Sequence, residues 1–446
     1  MTKARENLKL WLFVTIAYWV LAISYNQLIQ YSSFTIALRL PNIYFPADLF
    51  NLALGYIYAV IPLFWMSRSN RPSRVIYVYL YFSILIPSCL FLTTNQQIPV
   101  LDRHIHALFC VLCFFVVYIA YMVPTKMIRP LQYQSQVGWG IVWAVTILGS
   151  MYFVLTSRDS FANFSFFDVY DRRLELRDAV SAGSFNRMKI YATNWMGMAI
   201  APFLAAYGFQ KRKPLYILIA TALALVAFAV STQKTVFFTA LIVLLFAASI
   251  RYARRLWIPI DGIALNVAFV ISIVLITIPY LIDTVVGAGP ATSWLTTFRM
   301  FLNNGFLTSV YIEFFGSQPM LLYADSFLSG IVSSDFDMSY SRRVGDYISN
   351  YAANNNANAN FLADGFVNLG YLGMIIASLQ LAFVLWLIDS VARGRDPLLV
   401  AFTVLPAGLV FSNVPIHTGL TSNGVAISIL LITLLPRTVP NMPRSS

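Results

Sequence analysis

Apolar residues in this chain come in twelve long runs, near 9–29, 47–66, 75–94, 105–123, 137–156, 190–209, 214–231, 235–250, 262–282, 366–388, 397–412 and 421–436. Each run is about as long as a membrane-crossing helix needs, ~17–25 residues, and ionisable side chains are nearly absent from them. The pattern predicts an all-α polytopic membrane protein: a single bundle over 1–446 with about 12 transmembrane helices and two large loops, 157–189 and 284–365. A porin-type barrel would instead alternate over segments of ~10 residues. In the second loop, Thr292 or Ser293 is expected to cap an amphipathic helix that Gly305 ends. Trp294, Phe298, Phe301 and Leu302 share its apolar face, with Arg299 on the other, so the helix is expected to lie in the membrane interface. In the first loop, Asp168 to Gly183 reads as a capped helix.

Composition agrees, with 59% hydrophobic and only 11% charged residues and a mean hydropathy of +0.71; no soluble domain of this size looks like that. The net charge of +12 does not point to nucleic acid, because its distribution is a topology signal. Short alternate loops hold Lys3, Arg5 and Lys9, then Arg68, Arg71 and Arg74, Lys126 and Arg129, Lys211 to Lys213, Arg251, Arg254 and Arg255, Arg393 and Arg395, and Arg437 and Arg444. That is the positive-inside pattern. It predicts cytoplasmic termini and extracytoplasmic large loops; the first span, with no A-x-A pattern after it and an apolar core too long for a signal peptide, is expected to be retained. Cys89, Cys110 and Cys113 fall inside spans and read as small buried hydrophobes.

The loops carry the candidate chemistry. Charges within spans are costly and usually functional, and their scarcity here counts against an ion-coupled transporter. On the helix expected at 168–183, Arg172 has Asp168 and Glu175 as neighbours, whereas Arg173 and Arg177 share a face with no acid. Two arginines at i, i+4 repel unless an anion sits between them, and their planar forks suit phosphate. Lys234 is the sole charge of the turn Ser231–Thr235, and Arg342 with Arg343 forms a further basic pair. Candidate proton acceptors are Asp364 at the end of the second loop, His417 in the turn between the last two spans, and Glu313. His104 and His106, two apart, would point to different helix faces, and no acid cluster has the spacing of a cation loop.

Two segments carry a resemblance. NNNANANFLADGFVNLGYLGM, Asn354–Met374, resembles the segment that leads into a late transmembrane helix of bacterial O-antigen polymerases, the Wzy-type oligosaccharide repeat-unit polymerases. STQKTVFFTALIVLLF, Ser231–Phe246, is similar to that family's basic residue at the head of a span, and the two enlarged loops match its layout. Arg172 and Gly183 fit the family's Arg-x10-Gly pattern, which no arginine of the second loop fits. The resemblance implies a GT-C-like membrane glycosyltransferase of the bacterial inner membrane. It would polymerise undecaprenyl-diphosphate-linked oligosaccharide units into lipopolysaccharide O-antigen or a related surface polysaccharide, without a metal ion or other cofactor. Its partners would include a flippase and a chain-length regulator. The family pattern favours Arg172 where the neighbour argument favours Arg173 and Arg177; with Lys234, Arg299, Arg342, Arg343 and Asn360 these are the expected diphosphate or sugar contacts for such a reaction, with Asp364 or His417 as base. Alternatives are an O-antigen ligase, whose large outer loop carries a histidine that 284–365 lacks here, and a lipid-linked oligosaccharide flippase, expected to line its cavity with charge.

Overall fold

The structure, a computed structural model, describes residues 3–30, 48–66, 71–125, 135–156, 184–253, 263–287, 290–325, 331–332, 338–348 and 356–437. Among these it is all helical, without a strand. The helices are α1 (Lys3–Gln30), α2 (Leu49–Phe64), α3 (Arg74–Thr94), α4 (Val100–Tyr121), α5 (Ser135–Thr156), α6 (184–210), α7 (Pro214–Ser231), α8 (Lys234–Ala253), α9 (Ile263–Val286), α10 (291–315), α11 (Tyr340–Ile348), α12 (Phe361–Ala392), α13 (Pro397–Phe411), α14 (Ile416–Thr421) and α15 (Val425–Leu434). A helix stands at each of the twelve apolar stretches. Six of them, α1, α3, α4, α7, α9 and α12, are long and apolar enough to cross a membrane, and α2, α8, α13 and α15 hold shorter apolar segments.

Packing explains the sequence pattern. The span of α3 is buried throughout and forms the centre of the bundle. Leu215, Leu218, Leu372 and Phe383 by contrast face outward, at 59–67% exposure. So much bare apolar surface would be unfavourable in water and is natural against lipid. The three cysteines are free and buried, as their positions in spans predict.

Three helices contain wide turns with i→i+5 geometry just ahead of a proline: Tyr81–Leu85 before Pro87, Met196–Ile200 before Pro202, and Val270–Thr277 before Pro279. A proline ring collides with the carbonyl four residues back, here Ser83, Met198 and Leu275, and widening that turn relieves the clash.

Basic residues and helix ends gather at one end of the bundle. Arg71 donates to the carbonyls of Ala120 (2.8 Å) and Val123 (3.0 Å), at the C-terminus of α4. Arg395 donates to the carbonyls of Val391, Thr433 (2.6 Å) and Leu435 (3.0 Å), joining the ends of α12 and α15. Burial first, then the neighbouring Arg437, pushes the Arg395 guanidinium down to about 10, so it remains a cation at pH 7. Asp389 accepts from the backbone N–H (2.9 Å) and hydroxyl (2.8 Å) of Ser73, which holds the start of α3. Cations at helix C-termini and an anion at an N-terminus complement the helix dipoles.

The second loop departs from expectation in two ways. Neither Thr292 nor Ser293 caps α10 with its side chain. Asp283 of α9 does so, accepting from the Thr292 (2.9 Å) and Ser293 (2.6 Å) N–H groups. Nor does Gly305 end the helix, which runs on to Phe315. A Cβ at Gly305 would lie 2.3 Å from the backbone of Pro87, so the glycine permits a close crossing over α3. The expected apolar face is present: Phe298, Phe301 and Leu302 are buried and Trp294 stacks on Phe298 at 4.4 Å. Yet residues 304–312 are buried on all sides. That half of α10 belongs to the bundle core instead of lying on an interface.

Candidate functional site

A connected polar network occupies the end of the bundle away from the basic cluster, built by the second half of α10, by α11 and by the start of α12. Asn360 makes the first link. Its Oδ1 accepts from the N–H groups of Leu362 (3.0 Å) and Ala363 (3.2 Å), while its Nδ2 donates to Thr308 Oγ1 (2.8 Å) and the Asn304 carbonyl (3.2 Å). This caps α12 and fastens it to α10. One turn on, Ser309 and Glu313 of α10 both accept from Asn95 Nδ2, at 3.0 and 2.8 Å, at the end of α3.

The start of α12 is a separate half-helix. At Leu369 and Gly370 the backbone leaves helical geometry, Gly370 with φ +59° and ψ −140°. A Cβ on Gly373 would lie 1.9 Å from the Gly365 carbonyl oxygen. Residues eight apart in a continuous helix are separated by ~12 Å of rise, so the chain doubles back here. Residues 361–368 form a short helix folded against the long one that follows. Its last carbonyls are satisfied by the N–H groups of Leu321 (to Val367, 3.1 Å) and Leu322 (to Asn368, 3.1 Å), and Tyr323 N–H donates to Asn368 Oδ1 (2.8 Å). Leu322 and Tyr323 achieve this with φ of 50° and 62°. Left-handed geometry costs a residue with a side chain ~1–2 kcal/mol, and strain of this kind concentrates at working sites.

Asp364 sits on the half-helix, 4% exposed. Its Oδ1 accepts from the Tyr340 hydroxyl (3.0 Å) and Asn368 Nδ2 (3.2 Å), which leaves Oδ2 for another hydrogen. Tyr340 and Tyr347, seven apart, share a face of α11, and each donates to a carboxylate: Tyr340 to Asp364, Tyr347 to Glu313 at 2.5 Å. Two phenol–carboxylate pairs thereby latch α11 across α10 and α12. Burial, then the nearby Asp364 charge, holds the Tyr340 phenol well above its usual range, so it remains a proton donor at neutral pH. Tyr311 adds a bond to the Ala357 carbonyl (2.8 Å).

The other expected residues are distributed unevenly. Arg342 and Arg343 are half-buried on α11, beside Tyr340. His417 is half-buried on α14, which packs against α12; burial pulls its imidazole below the ordinary histidine range. Arg299 is exposed near the start of α10, its guanidinium 5.4 Å from the centre of the Trp294 ring. It lies roughly 18 Å along the helix from Tyr311 at 1.5 Å per residue, so it is not brought to Asp364. Arg172, Arg173 and Arg177 and the helix expected around them lie outside the described residues, as does the Lys234 side chain at the start of α8. Asn360 spends both halves of its amide on the fold. His104 and His106 pair separately with Tyr58 (3.3 Å) and Tyr371 (2.8 Å), in keeping with different faces. Among the described residues no three His, Cys, Asp or Glu side chains converge as a metal site would require.

Sequence reasoning missed Tyr340, Tyr347, Asn95 and Asn368. The seven-residue spacing of the two tyrosines was the available signal. The fold and site define an all-helical membrane protein with a buried acid–phenol network at one end. No family model, curated protein or solved structure matches the chain.

Proposed function

We propose that this chain is a membrane glycosyltransferase of the O-antigen polymerase kind, joining undecaprenyl-diphosphate-linked oligosaccharide units at the outer face of a bacterial cytoplasmic membrane. The positive-inside rule puts the basic end and both termini in the cytoplasm, and therefore the Asp364 network outside. The observation that carries the reading is Asp364 itself, a buried carboxylate on a folded-back half-helix, oriented by Tyr340 and Asn368 and retaining Oδ2 for a substrate proton.

In this mechanism a hydroxyl of the incoming unit gives its proton to Asp364 Oδ2 as its oxygen attacks the anomeric carbon of the growing chain. The bond from that carbon to the diphosphate oxygen breaks, and the electron pair departs with the lipid diphosphate. A diphosphate is a weak base, so cations serve it better than a proton donor. Arg342 and Arg343 on α11 are the described cations nearest the acid in sequence and element. Arg172, Arg173, Arg177 and Lys234 complete the pool. His417 is the second proton acceptor.

Deleting the gene in its host and following the surface glycan tests the reading. Single capped repeats at the surface are expected. Lipid-linked polymer left unattached would indicate a ligase, and single units trapped inside the cell a flippase.

A further inference from the structure

We infer that the basic end of the bundle holds a second site, which takes a phosphate group carried on the headgroup of an anionic lipid. A cavity of about 570 Å³ opens there, with Arg212, Arg251 and Asn266 among its polar walls and Ile250, Ile263 and Phe402 among its apolar ones. That size falls within the ~300–1,000 Å³ typical of ligand pockets. The site belongs to the end opposite Asp364 and plays no part in the proposed transfer.

The two guanidiniums are set up for an anion. Arg251 lies 5.3 Å from the centre of the Phe209 ring and among the described residues gives one hydrogen bond, from Nη1 to the Phe209 carbonyl at 3.4 Å. A guanidinium has five N–H donors, so most of its fork remains for a ligand. Arg212 is exposed, sits at φ 54° in the tight turn between α6 and α7, and makes no side-chain hydrogen bond among the described residues. Among the described residues the acid beside the cavity is already committed: Asp396 caps α13 through the N–H groups of Leu398 (3.0 Å) and Leu399 (3.3 Å) and accepts from Gln210 Nε2 (3.2 Å). Both arginines line one cavity; like charges gathered there are stabilised by an anion, and arginine forks match phosphate oxygens in pairs. Asn266, 5% exposed, lines the same cavity. The apolar remainder of the wall suits a glycerol backbone and the first carbons of an acyl chain, and basic pockets between helices commonly bind such headgroups.

The test uses the full-length protein, delipidated in mild detergent and mixed with phosphatidylglycerol, phosphatidylcholine or soluble glycerol phosphate, with bound species counted by native mass spectrometry. Wild type should retain phosphatidylglycerol over phosphatidylcholine. The double variant Arg212→Gln, Arg251→Gln should lose roughly tenfold in retention, the size expected for lost charge-assisted bonds. Ile250→Trp, which keeps both charges and fills the apolar part, should lose retention as well. Lipid-free unfolding temperatures matching wild type establish that the variants fold. Displacement of lipid by glycerol phosphate at similar concentration supports the phosphate site and assigns it a soluble ligand. Equal retention of the two lipids by wild type, or undiminished retention in both variants, overturns the inference.

Discussion

Of the three candidate proton acceptors, Glu313 takes hydrogen bonds from Asn95 and Tyr347, and the proposed reaction uses His417 and Asp364, whose surroundings distinguish them. Burial lowers the His417 pKa below its ordinary 6.5, so the imidazole is neutral at pH 7. The sign for stability follows directly: the unfolded chain binds this proton more readily than the folded one. The histidine's contribution is present above about pH 6.5 and is lost as pH falls through the lower folded value. His417→Gln is therefore expected to flatten the loss of stability below pH 6.5, read from unfolding temperatures at pH 7.5 and 5.0 in detergent. An unchanged pH dependence would mean that the imidazole titrates alike in both states. Asp364 was a candidate from the sequence because it stands at the end of the second loop, at the mouth of an apolar span. The role of Asn360 was not. A polar residue before an apolar run fits a sugar contact or a helix cap equally well, and only its four hydrogen bonds decide for the cap.

Among elements, the folded-back half-helix matters most. Hydrophobicity marks residues 366–388 as one span, and no periodicity separates a straight helix from one that reverses at Gly370. The clue lies in the glycines: Gly365 and Gly373 allow the two arms to touch. Gly373→Ala puts a methyl 1.9 Å from the Gly365 carbonyl oxygen. It should cost about 1–3 kcal/mol, the usual range for overpacking, visible as a lower unfolding temperature; a variant as stable as wild type would argue against the reversal. Asn360→Ala should cost about 1–2 kcal/mol through loss of the cap and loosen α12 from α10, measurable as faster amide exchange at 361–364. Unchanged exchange would remove Asn360 from its positioning role. The same limit of legibility applies to α10. Its apolar face was readable to Leu302, but Gly305 has the same composition as a stop signal and as a crossing point. The presence of α3 on its other side decides which it is.

Across the whole molecule, one division organises the rest. Arg71 and Arg395 tie helix C-termini together at one end, while Asp364, Glu313, two phenols and two amides form a network at the other. The apolar runs and the alternation of basic loops made the helices and this polarity visible in advance, because lipid forces both. The long-range pairings were not visible, since Asn95 with Glu313 and Tyr340 with Asp364 depend on how loops fold back. The central claim is that Asp364 performs the chemistry at the polar-network end. Asparagine can accept the same two hydrogen bonds at Oδ1, so Asp364→Asn removes the charge and the base while leaving the network in place. The direct measurement is the length distribution of surface polysaccharide in cells carrying Asp364→Asn as the sole copy, at wild-type levels of inserted protein. A collapse from long chains to single repeats is expected, with residual activity down by ~10²–10⁴, the usual range for loss of a general base. A wild-type length distribution in those cells would contradict it.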